Sequence, residues 1–113
     1  METKKLYFMD CHLAGRMYHD ADEVWEGLKV GTLVRLERDL ENRHDPNAVM
    51  VVYEKDSEEY KIGYIPRDEN VELANFLDMG WNDIFECRIS GIKPEAHPEN
   101  QVHLTIKIKH REL

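Results

Sequence analysis

Serine is nearly absent from this 113-residue chain: only Ser57 and Ser90 occur, and neither stands in a glycine-x-serine-x-glycine setting. An α/β-hydrolase built on a serine nucleophile needs that strained elbow, so the sequence argues against this class. The glycine-rich lysine loop that cradles nucleotide phosphates is missing as well. Cysteine is limited to Cys11 and Cys87, far apart on expected strands. A disulfide between them is one option, but buried thiols are expected in a reducing compartment. Cys11 and His12 are strand neighbours, so their side chains leave on opposite faces and make no catalytic dyad. No apolar run approaches the roughly 18 residues of a membrane span. The opening residues, Met-Glu-Thr-Lys-Lys-Leu-Tyr-Phe, hold no secretory apolar core, and cytoplasm is the expected compartment. Repeats, linkers and low-complexity tracts are also lacking, which leaves one domain over residues 1–113.

Positive charge is in short supply. Lys and Arg number 15 against 23 Asp and Glu, giving a net charge of −8 and a pI near 5.2. Proteins that grip nucleic acid without regard to sequence are usually basic. An acidic body can carry a local basic pocket, but it cannot hold long duplex by phosphate contacts spread over its surface. A nucleic-acid ligand would therefore be short and bound by its end, with a modest salt dependence. The chain is 42% hydrophobic and 34% charged, an ordinary globular balance. At this size, folding buries roughly two-thirds of the extended-chain surface.

Periodicity divides the chain into strands and one helix. Leu6–His12 reads as the first strand, followed by an irregular stretch around Gly15. Asp20–Trp25 fits one helical turn, with Asp20 as cap and acids at its positive end. Thr32–Arg38 alternates as a strand with one wet face. Ala48–Tyr53 is nearly all apolar, as in a central strand covered on both sides. The charged segment Glu54–Glu59 makes a hairpin tip, and Tyr60–Ile65 returns as a strand stopped by Pro66. Leu73, Phe76, Leu77 and Gly80 fall at helical spacing. Asp68 or Asn70 can cap that helix, and Gly80 suits the left-handed position after its end. Ile84–Ile92 and Val102–Ile108 are the last strands, joined by a proline-containing loop over 93–100. In the final strand Val102, Leu104, Ile106 and Ile108 alternate with His103, Thr105, Lys107 and Lys109. So many short strands avoid open edges best by closing on themselves. The expected fold is mainly β with one α-helix, a small OB-like or Greek-key β-barrel of about six strands.

The segment from Leu36 to Val49 concentrates polar chemistry between two apolar runs. It places Asn42, Arg43, His44 and Asp45 on one strand-to-strand junction, where rigid scaffolds often place ligand contacts. The plainer reading is that Asp45-Pro46-Asn47 is a good turn, with the carboxylate capping its own backbone. Downstream lies Lys61-Ile62-Gly63-Tyr64-Ile65-Pro66-Arg67. Upstream lies Ala14-Gly15-Arg16-Met17-Tyr18, and Asn70-Val71-Glu72-Leu73-Ala74 follows the second motif. In order and spacing these motifs resemble the HIRAN domain family. That family's pattern runs glycine-x-x-tyrosine, then arginine and asparagine leading into aspartate-x-asparagine-alanine-valine, then glycine-(tyrosine or histidine)-(isoleucine or leucine)-proline. The match covers roughly Phe8 to Ile108.

The resemblance implies a non-catalytic module that recognises single-stranded DNA ends with a free 3′ hydroxyl, in DNA repair or fork processing. It further implies a helicase or nuclease partner and no cofactor. By the same resemblance Asp45 and Asn42 serve the terminal sugar, Tyr18 and Tyr64 stack on bases, and Arg67 meets a phosphate. A carboxylate is a natural acceptor for a sugar hydroxyl, and base stacking on tyrosine demands no particular sequence. His44 stands where family members carry a tyrosine and still offers a stacking ring. Met17 replaces a basic residue, and Glu41 would repel a neighbouring phosphate. Each ring also has a packing role open to it, since Tyr18 and Tyr64 can fill the barrel mouth, although Tyr64 is expected half exposed. Arg38 and Asn47 have structural duties open to them, Arg38 by pairing with Asp39, Glu41 or Asp45.

Two rival readings remain at this level. One is a protein-interaction module with a decayed nucleic-acid pocket, using Ser57–Glu59 and an exposed Trp25 or Trp81. A basic rim of Arg16, Arg35, Arg43 and Arg67 would favour DNA over that reading. The other is a metal-assisted hydrolase built on His12, His19 and His44 with Asp45 or Cys11, but their spacing fits no zinc signature.

Overall fold

The computed structural model describes residues 4–16 and 19–110, so Tyr18 and Met17 lie outside the described residues. Among the described residues six strands form: β1 (Leu6–His12), β2 (Leu33–Arg38), β3 (Val49–Lys55), β4 (Glu58–Tyr64), β5 (Phe85–Ile92) and β6 (Val102–Ile108). One α-helix, α1 (Val71–Asp78), lies between β4 and β5. Every pairing is antiparallel, in the order β1-β6-β5-β2-β3-β4. The two outer strands meet just past β1. Ala14 donates to the Tyr64 carbonyl at 2.8 Å, and Tyr64 donates back to Ala14 at 2.9 Å. That reciprocal pair joins the ends of the sheet, which makes the mainly β barrel expected from the strand count.

Alternation decides which side chains fill the barrel. Val102, Leu104 and Ile106 are fully buried, while His103, Thr105 and Lys107 are not. On β5 the buried set is Phe85, Cys87 and Ile89. On β3, Val51 and Val52 are both buried although they are neighbours. They lie on opposite faces: Val51 belongs to the core, whereas Val52 lines a groove beside Arg35 on the outer side. The ladder to β4 is irregular here, since Val51 faces Gly63 but Val52 faces Lys61, so β4 carries one extra residue, Ile62. The β3–β4 turn has Asp56 and Ser57 at φ 52° and 68°, the two-residue hairpin turn whose twist matches the strands.

Helix α1 presses Leu73, Ala74 and Leu77 into the core. Its Phe76 meets Phe85 at 5.7 Å and Phe8 at 6.0 Å, edge to face, and Phe8 and Phe85 stand 5.2 Å apart. Gly80 takes φ 89° just beyond the helix end, as its position predicts. The expected side-chain cap is absent. Asn70 occupies the capping position, but its amide is committed elsewhere.

The single turn expected at Asp20–Trp25 is a longer 3-10 helix, Asp20–Gly27, which packs across β4. His19, not Asp20, precedes it, and no side chain caps it. Burial of Ala21, Val24 and Leu28 carries the segment past its first turn. Trp25 is half-buried rather than exposed, because the Arg16 guanidinium lies 4.2 Å over its ring. Both cysteines are free and buried. Burial pushes the Cys11 thiol up to about 12 and the Cys87 thiol higher still, so neither is a nucleophile at neutral pH.

Gly63 sits where the sheet closes. A Cβ there would stand 2.6 Å from the Ala14 carbonyl oxygen and 2.7 Å from Leu13 Cδ1. Gly63→Ala is therefore expected to destabilise the fold by about 1–3 kcal/mol, the usual cost of overpacking. Gly91→Ala, whose new methyl would meet nothing nearer than 3.6 Å, should stay within about 0.5 kcal/mol of wild type. Urea unfolding of both variants checks this, and equal stabilities would show that the closure is loose.

Candidate functional site

Arg38 ends β2 and organises the loop that follows it. Its Nε donates to Asp78 Oδ1 at 2.8 Å, and its terminal nitrogens donate to the Ala48 and Pro46 carbonyls at 2.6 and 2.8 Å. One rigid, five-donor fork thus ties the loop over 39–48 to the end of α1. The pairing is with Asp78, not with the Asp39, Glu41 or Asp45 that sequence proximity offered. Arg38 is a structural residue.

Within the loop the polar side chains fix the backbone. Asn42 Oδ1 accepts from the His44 and Asp45 N–H groups, each at 2.9 Å. Asp45 Oδ1 accepts from the Asn47 N–H at 2.9 Å, which is the Asx turn of the plainer reading. Asp45 Oδ2 accepts from Asn70 Nδ2 at 2.8 Å. A carboxylate only accepts, so this contact also fixes which end of the fully buried Asn70 amide faces the loop. Asp45 is half-buried and makes no ion pair among the described residues. Its two oxygens offer about four lone-pair sites, of which these bonds use two. The carboxylate is thus held in place yet still able to accept from a ligand.

Tyr64 forms the other half of the site. Its hydroxyl donates to Asp39 Oδ2, and Lys61 Nζ donates to the same hydroxyl at 3.1 Å. Simple alternation would put Lys61 and Tyr64 on opposite faces of β4. The extra residue at Ile62 reverses the parity between them and brings both to one side. His19 packs against the ring, with centroids 5.2 Å apart and planes tilted by 56°. Burial, reinforced by the Lys61 charge, holds His19 below its ordinary range, so the ring is neutral at neutral pH. The hydrogen bond from Tyr64 holds Asp39 below the usual carboxylate range, with Lys61 adding to the effect.

The structure therefore brings Asn42, Asp45 and Tyr64 into one connected region through Asp39 and Asn70. His44 is exposed on the same loop, and Arg67 is exposed on the 3-10 turn Arg67–Glu69 that follows Pro66. Asp39, Lys61, His19 and Asn70 belong to this region too, and local sequence did not assign them to it. The expected basic rim is only half present. Arg16 is buried against Asp22 and Trp25, and Arg35 is engaged by Glu37, Glu54 and Glu59, which leaves Arg43 and Arg67 exposed. Among the described residues no three His, Cys, Asp or Glu side chains converge as a metal site.

The Asp39 interaction has a pH signature. Because its folded pKa is depressed, the stability it contributes is present above the unfolded value and lost as pH falls through the folded one. Tyr64→Phe should cost ~0.5–1.5 kcal/mol near neutral pH. The gap from wild type should shrink only as pH falls below the usual carboxylate range, where the depressed Asp39 carboxylate takes up its proton. Thermal melts of the two proteins across that range measure the difference, and a gap independent of pH would contradict the assignment.

With this geometry established, the similarities to known proteins can be stated. The Fanconi-associated nuclease 1 homolog of Oryza sativa subsp. japonica is 32% identical over 102 residues. The aligned region is 89% of this chain but 10% of that protein, so the chain spans about a tenth of its relative's length. A crystal structure of a protein from Lactobacillus plantarum superposes with a TM-score of 0.78 at 22% identity, covering 97% of this chain and 100% of the other. That likeness establishes the fold. The HIRAN domain family model matches residues 6–110, nearly the whole chain and all three motifs, and the chain belongs to the HIRAN domain family.

Proposed function

We propose that this domain is a non-catalytic module that binds the end of single-stranded DNA through its free 3′ hydroxyl. The observation that carries the reading is the Asp45 carboxylate, held by Asn70 and the Asn47 N–H while keeping free acceptor sites. A terminal sugar hydroxyl is a donor that such a group suits, whereas a terminal phosphate would be repelled by it. Tyr64, pinned through its hydroxyl, offers a half-exposed ring for a base, with His19 beside it. His44 supplies a further ring at the loop, Asn42, whose amide also bonds Asp39, borders the sugar or end, and Arg67 takes a backbone phosphate. Tyr18 completes the stack by its place in the first motif.

Charge supports an end-directed footprint rather than a long one. Two exposed arginines and Lys61 neutralise only a few phosphates, against a net charge of −8 over the chain. The similarity to a small part of a protein named as a Fanconi-associated nuclease homolog supports a module that presents DNA ends to an enzyme. We place the domain in DNA repair or replication-fork processing, with a nuclease or helicase as partner.

Fluorescence anisotropy with labelled oligonucleotides ending in a 3′ hydroxyl or a 3′ phosphate tests the reading. The hydroxyl end should bind about tenfold tighter or better, the worth of one charge-assisted hydrogen bond. Tyr64→Ala should weaken binding by about 1–3 kcal/mol through lost stacking, whereas Tyr64→Phe should keep most of it. The logarithmic salt slope should stay near −2 or shallower, since few phosphates are neutralised (roughly −0.7 for each). Equal affinity for the two ends, or none at low salt, removes the end-recognition claim.

A further inference from the structure

A groove of about 690 Å³ opens between β2 and β5 and shares no residue with the Tyr64–Asp45 region. The β2–β5 ladder is short: Leu33 pairs Arg88, Val34 pairs Cys87, and pairing then stops although both strands continue. In an antiparallel ladder successive residues turn their N–H and C=O to opposite sides. Asp39 donates to Ala48 across the β2–β3 register, which sets Arg35 and Glu37 toward β3 and Leu36 toward β5. Lys109 donates to Ile84 across the β5–β6 register, which sets Glu86 toward β6 and Phe85 toward β2. Leu36 and Phe85 would be the next hydrogen-bonded pair. Instead, both line the groove, and their backbone groups are directed across it.

The floor is apolar, made by Val34, Leu36, Phe85 and Cys87. The walls lean acidic, with Glu37 and Glu54 on one side and Asp83 and Glu86 on the other, against Arg35 and Lys109. Arg35 does not offset its side. Its single guanidinium serves three carboxylates, Glu37, Glu54 and Glu59, and so balances only one of their three charges. The opposite wall is closer to balanced, because Lys5 and Arg88 both pair with Glu86.

We propose that this groove docks an extended, basic segment of a partner protein, which inserts beside β2 and β5 as an added strand. Main-chain hydrogen bonds to Leu36 and Phe85 would supply the pairing that the two strands do not give each other. Alternate aliphatic side chains would cover the floor, and lysines or arginines between them would meet Glu37, Glu54 and Asp83. This is strand addition, with the backbone giving affinity and the alternate side chains giving specificity.

Titrating the full chain with short fluorescent peptides tests the proposal. A peptide alternating valine with lysine should bind, and its amide shifts in an NMR titration should centre on Leu36 and Phe85. A valine–glutamate peptide should bind at least about tenfold more weakly, as like charges face each other across the groove. A version with proline at the pairing positions lacks the N–H donors and should also lose binding. The Glu37→Lys, Glu54→Lys double variant should lose the basic peptide and keep DNA-end binding, while Tyr64→Ala should keep the peptide. Equal binding of the acidic and basic peptides overturns the proposal. So do amide shifts centred away from the groove, no binding at millimolar peptide, or self-association of the chain through this face.

Discussion

The reciprocal hydrogen bond between Ala14 and Tyr64 is the constraint on which the rest of the molecule turns. It is the point at which the two outer strands of a six-stranded sheet meet, and the meeting turns their edges toward each other. The approach demands a residue without a side chain at Gly63, because the Ala14 carbonyl and Leu13 occupy the space that a Cβ would need. It also fixes the backbone of Tyr64 from one side, while the extra residue at Ile62 fixes where its ring points. Closure and site are thus one piece of structure. The glycine-tyrosine-isoleucine-proline motif reads as the chemistry of a seam: a glycine for the close approach, an aromatic ring presented at the join, an isoleucine returned to the core and a proline to end the strand.

Much of the fold is legible in the sequence because it depends on local periods. β1 and β6 begin and end at the residues that alternation marks, and Gly80 adopts the left-handed conformation its place beyond α1 predicts. What could not be read depends on register and on distant partners. Nothing local shows that β4 carries a bulge, so nothing local shows that Lys61 and Tyr64 share a face. Asn70 looks like a helix cap because caps are local, yet its amide turns to Asp45, 25 residues away in the chain. Arg38 has three acids nearby in sequence and takes Asp78 instead, 40 residues on, since the end of α1 and the end of β2 are brought together by packing rather than by spacing. At the loop, the turn expected of Asp45-Pro46-Asn47 is present, and the second carboxylate oxygen leaves capacity for the ligand contact that is proposed.

Electrostatics bears directly on the proposal that an acidic protein binds a short stretch of nucleic acid. The arginines that would spread positive potential over the barrel are drawn inward. Arg16 lies under Trp25, Arg38 ties down a loop, and Arg35 is surrounded by glutamates. Arg43 and Arg67 remain exposed near the loop, while other exposed cations, among them Lys29, Arg88 and Lys107, lie on other segments. A screening length of about 8–10 Å limits how many of them one bound strand can feel at once. Glu41, exposed on the same loop, sharpens that limit by opposing any phosphate placed alongside it.

The same accounting bears on the far side of the barrel. Three glutamates around one arginine cost repulsion with no internal return, and exposed pairs of this kind contribute little to stability on their own. Removing two of them would leave the β2–β3–β4 register intact, since that register is carried by backbone bonds and by Val49, Val51 and Ile62 in the core. Their excess charge flanks the place where the β2–β5 ladder stops short and two backbone pairing positions face open space. An unfinished ladder asks for a strand, and an acidic wall asks for a basic one. The two proposals are compatible, because the seam and the groove share no side chain and opposite signs of charge govern them.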